Sequence, residues 1–251
     1  MPFTPAHPAV ILPLIRWRYF SATGLIVGCL SPDFEYFFKM SVDSIHSHSR
    51  LGLFYFDLPV TIVLAILFHQ LVKVNLIGNL PAFLQKRFQD TLHFNFLAYL
   101  KNNWWIFLYS ALIGAGSHLF WDSFTHNNRF FSRQFSTVYQ ETSVPFDGIN
   151  YPLFYVLQQI STAVGLVIVT LYIVFKKPVQ YRELMKPKIS YWLLVFAIAI
   201  VVLRLRFFYH VSDYNLGNVV VSSITGLLIG VVCCGFINFK NSIHYEKSLN
   251  G

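Results

Sequence analysis

Apolar runs of membrane length recur along this chain, at residues 104–124, 151–175, 190–210 and 217–239, with a shorter one at 57–73. Hydrocarbon offers the backbone no water to bond, so a run of about 20 apolar residues is read as a helix crossing some 30 Å of lipid. Composition agrees: 55% of the 251 residues are hydrophobic, 12% are charged and 26 are Phe, more apolar surface than a soluble core of this size needs. The expected fold class is all-α, a polytopic helical membrane protein with an N-terminal helical hairpin and about five transmembrane helices. No internal repeat, low-complexity tract or strand-rich block divides it. The reading is one integral membrane domain over residues 1–251, with polar site residues in 1–150 and supporting helices in 151–251.

The net charge of +8 would suit a nucleic-acid partner only if cations interleaved with exposed aromatics, and they do not. They gather in particular loops: Lys73, Lys86, Arg87 and Lys101; Lys176, Lys177, Arg182, Lys186 and Lys188; Lys240 and Lys247. The alternate loops hold only Lys39, Arg50, Arg129 and Arg133. An excess of Lys and Arg marks the cytoplasmic side. That orientation puts Asp33, His48, His126, His210 and Asp213 on the extracytoplasmic side. Cys29, Cys233 and Cys234 lie in apolar stretches without a Cys-x-x-Cys pattern and read as small core residues. The start of the chain lacks a basic leader with an uninterrupted apolar run and a small-residue cleavage site, so no removed signal peptide is expected.

Residues 6–30 hold two apolar runs of about ten residues, split by Arg16-Trp17-Arg18. Ten helical residues rise about 15 Å, half a hydrocarbon core. A helical hairpin fits, with Pro5 and Pro8 in the first turn of one arm and Ser21 capping the other. Such a hairpin returns the chain to its starting side and brings His7 near Asp33. Asp57-Leu58-Pro59 reads as a capped helix start, residues 82–100 as an amphipathic run along the membrane surface, and residues 127–150 as a polar, turn-rich loop able to cover the site.

Ser117 to His126 places two imidazoles and a carboxylate at the end of an apolar segment. Steps of four residues advance about 400° on a helix, so His118, Asp122 and His126 share one face. Ionisable groups inside membranes are functional candidates by default, and this stripe has the residue types of a metal-binding face.

The series Pro2-Phe3-Thr4-Pro5-Ala6-His7-Pro8, Ser31-Pro32-Asp33-Phe34-Glu35-Tyr36, Ser47-His48-Ser49-Arg50-Leu51-Gly52 and Gly116-Ser117-His118 through His126 resembles the DUF4184 family of bacterial membrane proteins over most of the chain. More distantly, its first half is similar to the YdjM-type membrane-bound metal-dependent hydrolases. An early His, a Pro-Asp at a helix end, a His-Ser and a later Ser-His-Leu-x-x-Asp-x-x-Thr recur there. These fall on His7, on Pro32 and Asp33, on His48 and Ser49, and on Ser117, His118, Leu119, Asp122 and Thr125. Phe34-Glu35 follow Asp33 where that group often has a second Asp. The resemblance implies a multi-pass protein of the bacterial inner membrane with a bound metal.

The expected ligands are His7, Asp33, His48, His118, Asp122 and His126, more than the four usual for one zinc, so one or two ions fit. Imidazoles mixed with carboxylates suit a divalent transition metal, zinc first, then iron or manganese. Glu35 or His46 is the expected general base. Arg204 and Arg206 either snorkel to the interface or bind a phosphate through a forked pair of hydrogen bonds. The expected activity is hydrolysis of a lipid-linked substrate or phosphoester at the extracytoplasmic face, with membrane lipid as the partner. The alternatives are a metal or ion transporter and a non-catalytic scaffold stabilised by metal. His69, Gln70, Gln158, Gln159, Ser161 and Thr162 read as interhelical hydrogen-bonding residues; His93 and His244 are assigned no place in the site.

Overall fold

The computed structural model describes residues 3–126, 133–135, 138–139, 142–179, 184–237 and 239. Arg129, Arg182, Lys240, His244 and Lys247 lie outside the described residues, as does much of the expected covering loop. A 3-10 segment, Thr4–Val10, and a run of turns precede helix α1, Ala22–Leu30. A 3-10 turn at Ser31–Asp33 joins it to α2, Phe34–Lys39. Then follow α3, Leu53–Gly78, α4, Ala82–Phe88, and α5, Phe96–Thr125. A two-stranded antiparallel hairpin of β1, Ser143–Phe146, and β2, Ile149–Pro152, leads into α6, Leu153–Phe175, α7, Ile189–Tyr209, and α8, Leu216–Gly235.

Four helices among the described residues, α3, α6, α7 and α8, are long and apolar enough to cross a membrane, so the chain is an all-α membrane protein. The expected run at 104–124 also forms a helix, within α5, but its Ser, His and Asp side chains keep it outside that class. The run expected at 57–73 is longer at both ends, with π-helical turns at Leu53–Asp57 and Phe68–Val72. The amphipathic run expected over 82–100 is interrupted: α4 ends at Phe88 and α5 begins at Phe96.

The chain forms two compact units. The first comprises residues 1–39, 43–65 and 97–176, so α6 accompanies the site residues. The second comprises residues 40–42, 66–96 and 177–251; α3 contributes to both.

In the first unit the N-terminal hairpin forms, but only its second arm is α-helical. Pro5, Pro8 and Pro13 remove backbone donors at intervals too short for regular α-helix, so the first arm takes 3-10 and turn geometry. Ser21 caps the second arm, its hydroxyl accepting from Gly24 N at 3.2 Å. Glycines let α1 approach α5 closely: a Cβ on Gly24 would stand 2.7 Å from Phe107 O, and one on Gly28 would overlap the Ala111 backbone. Gly114 of α5 meets Leu25 in the same way. Ser21 N donates to Ser110 Oγ at 2.9 Å, and Ile11, Leu25 and Cys29 bury together between the arms. The first arm lies on α6, where Gly165 packs on Ala6 and Thr162 Oγ1 accepts from Phe3 N at 3.0 Å. At the tip, Arg16 stacks over Tyr172, near the Lys176 end of α6.

β1 and β2 were not expected. Asp147 and Gly148 both take positive φ, 49° and 74°, as a two-residue type I′ turn requires.

In the second unit α7 and α8 pack through small residues, Gly226 against Ala199 and Gly230 against Val195. Asn75 Nδ2 donates to Cys234 O at 2.8 Å and Ile237 O at 3.0 Å, satisfying carbonyls at the C-terminal end of α8. Gln85 exchanges hydrogen bonds with the backbone of Met185, and Asn79 Oδ1 accepts from Lys188 N.

Candidate metal centre

His118 and Asp122 sit one helical turn apart on α5 and are both buried, with His126 one turn further on. Close packing of α1 brings Cys29 O to 2.8 Å from His118 Nδ1. A carbonyl only accepts, so Nδ1 carries the proton and Nε2 presents its lone pair to the cluster. The 3-10 turn that follows α1 swings Asp33 in beside it, fully buried.

His48 arrives on an irregular loop that is held by Glu35. The Glu35 carboxylate accepts from Ile45 N at 2.8 Å, His46 N at 2.9 Å and Ser47 N at 2.7 Å, and from Lys39 Nζ at 2.6 Å. Burial opposes ionisation of Glu35, but the Lys39 ammonium and the backbone donors outweigh it and hold the carboxyl well below the usual carboxylate range. Ser47 Oγ lies 2.7 Å from His48 Nδ1, which turns Nε2 inward. His7 is brought in by the first arm of the hairpin and stacks on His118, ring centroids 3.7 Å apart.

The side chains converge around Asp122. Its Oδ2 lies 3.3 Å from His118 Nε2 and 3.4 Å from His48 Nε2; its Oδ1 lies 3.6 Å from His7 Nε2 and 3.5 Å from His126 Nδ1. Asp33 Oδ1 faces the same imidazoles, 3.5 Å from His118 Nε2 and 3.7 Å from His48 Nε2. These separations exceed the 2.7–3.2 Å of an N–H···O hydrogen bond. They match the edge of a coordination shell, because two ligands of a tetrahedral ion bound at about 2.0–2.1 Å stand about 3.4 Å apart. Among the described residues, both carboxylate oxygens of Asp33 and Asp122, both nitrogens of His7, and His118 Nε2 are buried without a hydrogen-bond partner. Buried polar atoms are nearly always satisfied, so an orphaned set facing inward fits a divalent cation. Two triads place one ligand atom from each residue within 4.8 Å of the others: His7, His118 and Asp122, and Asp33, His48 and His118.

The remaining sequence candidates are His126, Glu35, His46, Arg204 and Arg206. His126 reaches the edge of the cluster, its Nδ1 also 3.2 Å from Asp122 O, with 18% of its side chain exposed. Glu35, the expected general base, has its oxygens occupied by Lys39 and the amides of the His48 loop. His46 is exposed and its Nδ1 meets Tyr55 OH at 3.1 Å, which fits the loop surface rather than catalysis. Arg204 and Arg206 belong to the second unit. Arg206 pairs with Asp213 at 2.7 Å, and Arg204 is exposed.

Asp57 is the residue that sequence reasoning missed. It is fully buried, with both carboxylate oxygens lacking partners among the described residues, and lies within electrostatic reach of His118, Glu35 and Asp33. Asp57-Leu58-Pro59 reads as a cap, but α3 begins at Leu53, so Asp57 sits inside the helix. A carboxylate followed by an unbroken apolar run was the available signal.

The profile of the family described as a domain of unknown function, DUF4184, matches residues 1–236. The chain belongs to the DUF4184 family. The match covers every residue of the cluster, and thus confirms the closer of the two resemblances seen in the sequence. No curated protein and no solved structure shows a significant match to the chain.

Proposed function

We propose that this membrane protein is a metal-dependent hydrolase whose centre is built from His7, Asp33, His48, His118 and Asp122. The observation that carries this reading is the convergence of imidazole and carboxylate atoms at coordination spacing in a buried site, those of His7, Asp33 and Asp122 and His118 Nε2 without hydrogen-bond partners among the described residues. Imidazoles with carboxylates favour zinc, with iron or manganese next. The Nδ1–H of His118 on Cys29 O is the kind of outer-shell contact that orients a metal-bound imidazole.

A divalent ion in such a site acidifies water and polarises an ester oxygen. In the reaction proposed, water adds to the phosphorus or carbonyl carbon of the substrate. The ester bond to the leaving oxygen breaks, and that oxygen departs with a proton. The substrate is a lipid-linked or phosphoester compound at the extracytoplasmic leaflet. Support for that depth comes from α5, on which His118 lies about 21 Å along the axis from Trp104 at 1.5 Å per residue, and from the basic loops that mark the opposite side.

The decisive experiment combines metal analysis of detergent-purified protein with hydrolysis of a chromogenic phosphodiester. Zinc, iron or manganese should copurify, and His118→Ala and Asp122→Ala should lose both metal and hydrolysis while eluting as folded protein. Normal metal retention in both variants would remove the site. Metal flux into proteoliposomes, abolished in the same variants and without hydrolysis, would make the protein a transporter. Bound metal with neither activity would leave the scaffold reading.

A further inference from the structure

Two of the imidazoles around Asp122 are stacked face to face, and that arrangement bears on how many ions the centre holds. His7 and His118 lie with ring centroids 3.7 Å apart and planes inclined by 19°. An imidazole nitrogen binds a metal along its lone pair, in the plane of the ring, at about 2.0–2.1 Å. An ion placed correctly for His118 Nε2 therefore lies far out of the plane of His7, and the reverse. The ring planes are nearly parallel, and each ring has its Nε2 facing Asp122, at 3.6 Å from His7 and 3.3 Å from His118.

Asp122 divides its oxygens in the same way. Oδ2 faces His118 and His48, at 3.3 and 3.4 Å, while Oδ1 faces His7 Nε2 at 3.6 Å. Asp33 Oδ1 completes the first group and is paired at coordination spacing with His118 and His48. His7 is 2% exposed, and neither of its nitrogens has a hydrogen-bond partner among the described residues. A buried imidazole stacked on His118, with Nε2 facing the Asp122 oxygen that His118 and His48 do not approach, has the features of a ligand in its own right.

Building on the proposed metal centre, we infer that Asp122 bridges two divalent cations, one held by Asp33, His48, His118 and Asp122 Oδ2, the other by His7 and Asp122 Oδ1. His126 Nδ1, 3.5 Å from Asp122 Oδ1, is the nearest further imidazole to the second position. Rings stacked 3.7 Å apart on one shared carboxylate suit two ions about 3.5–4 Å apart, the spacing of two-metal hydrolytic sites. The second position has few protein ligands, and so it is the one open to substrate.

The test uses the full chain, stripped with chelator in detergent and titrated with Mn²⁺. Wild-type protein should bind about two ions per chain and give the exchange-coupled spectrum of a manganese pair by electron paramagnetic resonance. His7→Gln should bind about one, with an uncoupled signal and an unchanged elution profile. Saturation at one ion with an uncoupled spectrum in the wild type overturns the second site and leaves the metal centre standing. Absence of specific Mn²⁺ or Zn²⁺ binding in the wild type overturns the centre and this inference together. The wild-type spectrum decides the matter even if His7→Gln does not fold.

Discussion

Glu35 stands two positions from Asp33, a proposed metal ligand, and invites a catalytic role, yet its oxygens are filled by Lys39 and the Ile45, His46 and Ser47 amides. Only the folded loop reveals those donors, because backbone N–H groups have no sequence signature. Replacing it tests positioning: Glu35→Gln should leave the chain folded but weaken metal binding by about 10–100-fold, as for other outer-shell partners. Competition with a fluorescent chelator measures the change, and unaltered affinity would mean that the His48 loop holds itself. Asp57 leads to the opposite expectation for stability. A buried carboxylate without hydrogen-bond partners is costly, so Asp57→Asn should melt no lower than wild type in detergent while perturbing the centre. A large drop in melting temperature would assign Asp57 a structural role instead. His118 and Asp122 were legible in advance because spacing of four residues suffices to place them on one face, whereas the contribution of His7 and His48 depended on a hairpin and a loop that periodicity does not specify.

At the scale of elements, the junction of α1 with α5 sets the register of the centre. It brings Cys29 O to His118 and leaves Asp33 at the end of the same segment. Gly28 makes this approach possible, because a Cβ there would overlap the Ala111 backbone, which cannot rotate away as a side chain could. Gly28→Val should therefore destabilise by about 1–3 kcal/mol through overpacking, seen as a lower melting temperature together with lost metal. Gly116→Ala, on α5 with nothing within 4 Å of the added Cβ, is the control and should be neutral or stabilising. Equal melting temperatures for the two variants would show that the helices separate without consequence. The sequence foretold the turn-back of the hairpin from the short apolar arms and the basic residues between them. The first arm is helical as expected but takes 3-10 geometry, because its closely spaced prolines disfavour a regular α-helix. Residues 127–150 read as a turn-rich loop without strands, since β1 and β2 are four residues each and lack strong alternation.

For the whole molecule, long apolar helices establish membrane residence by length and hydropathy, while sidedness rests on charge. In the first unit, Arg16 at the hairpin tip lies over Tyr172, close to Lys176, so Arg16 joins the basic end of α6, while Arg18 lies over its neighbour Tyr19. His118 and Asp122 lie towards the other end of α5 from Lys101. If the positive-inside rule holds, Arg50 and Lys101, both exposed, face opposite compartments. In a background with Cys29, Cys233 and Cys234 replaced by alanine, Arg50→Cys should react with a membrane-impermeant maleimide on intact cells. Lys101→Cys should react only after permeabilisation. The reverse pattern would turn the centre towards the cytoplasm, changing the source of its substrate without altering the ligand geometry. Labelling of both positions in intact cells would mean that α5 does not cross the bilayer, and the cluster would then be reached from one surface without passage through lipid.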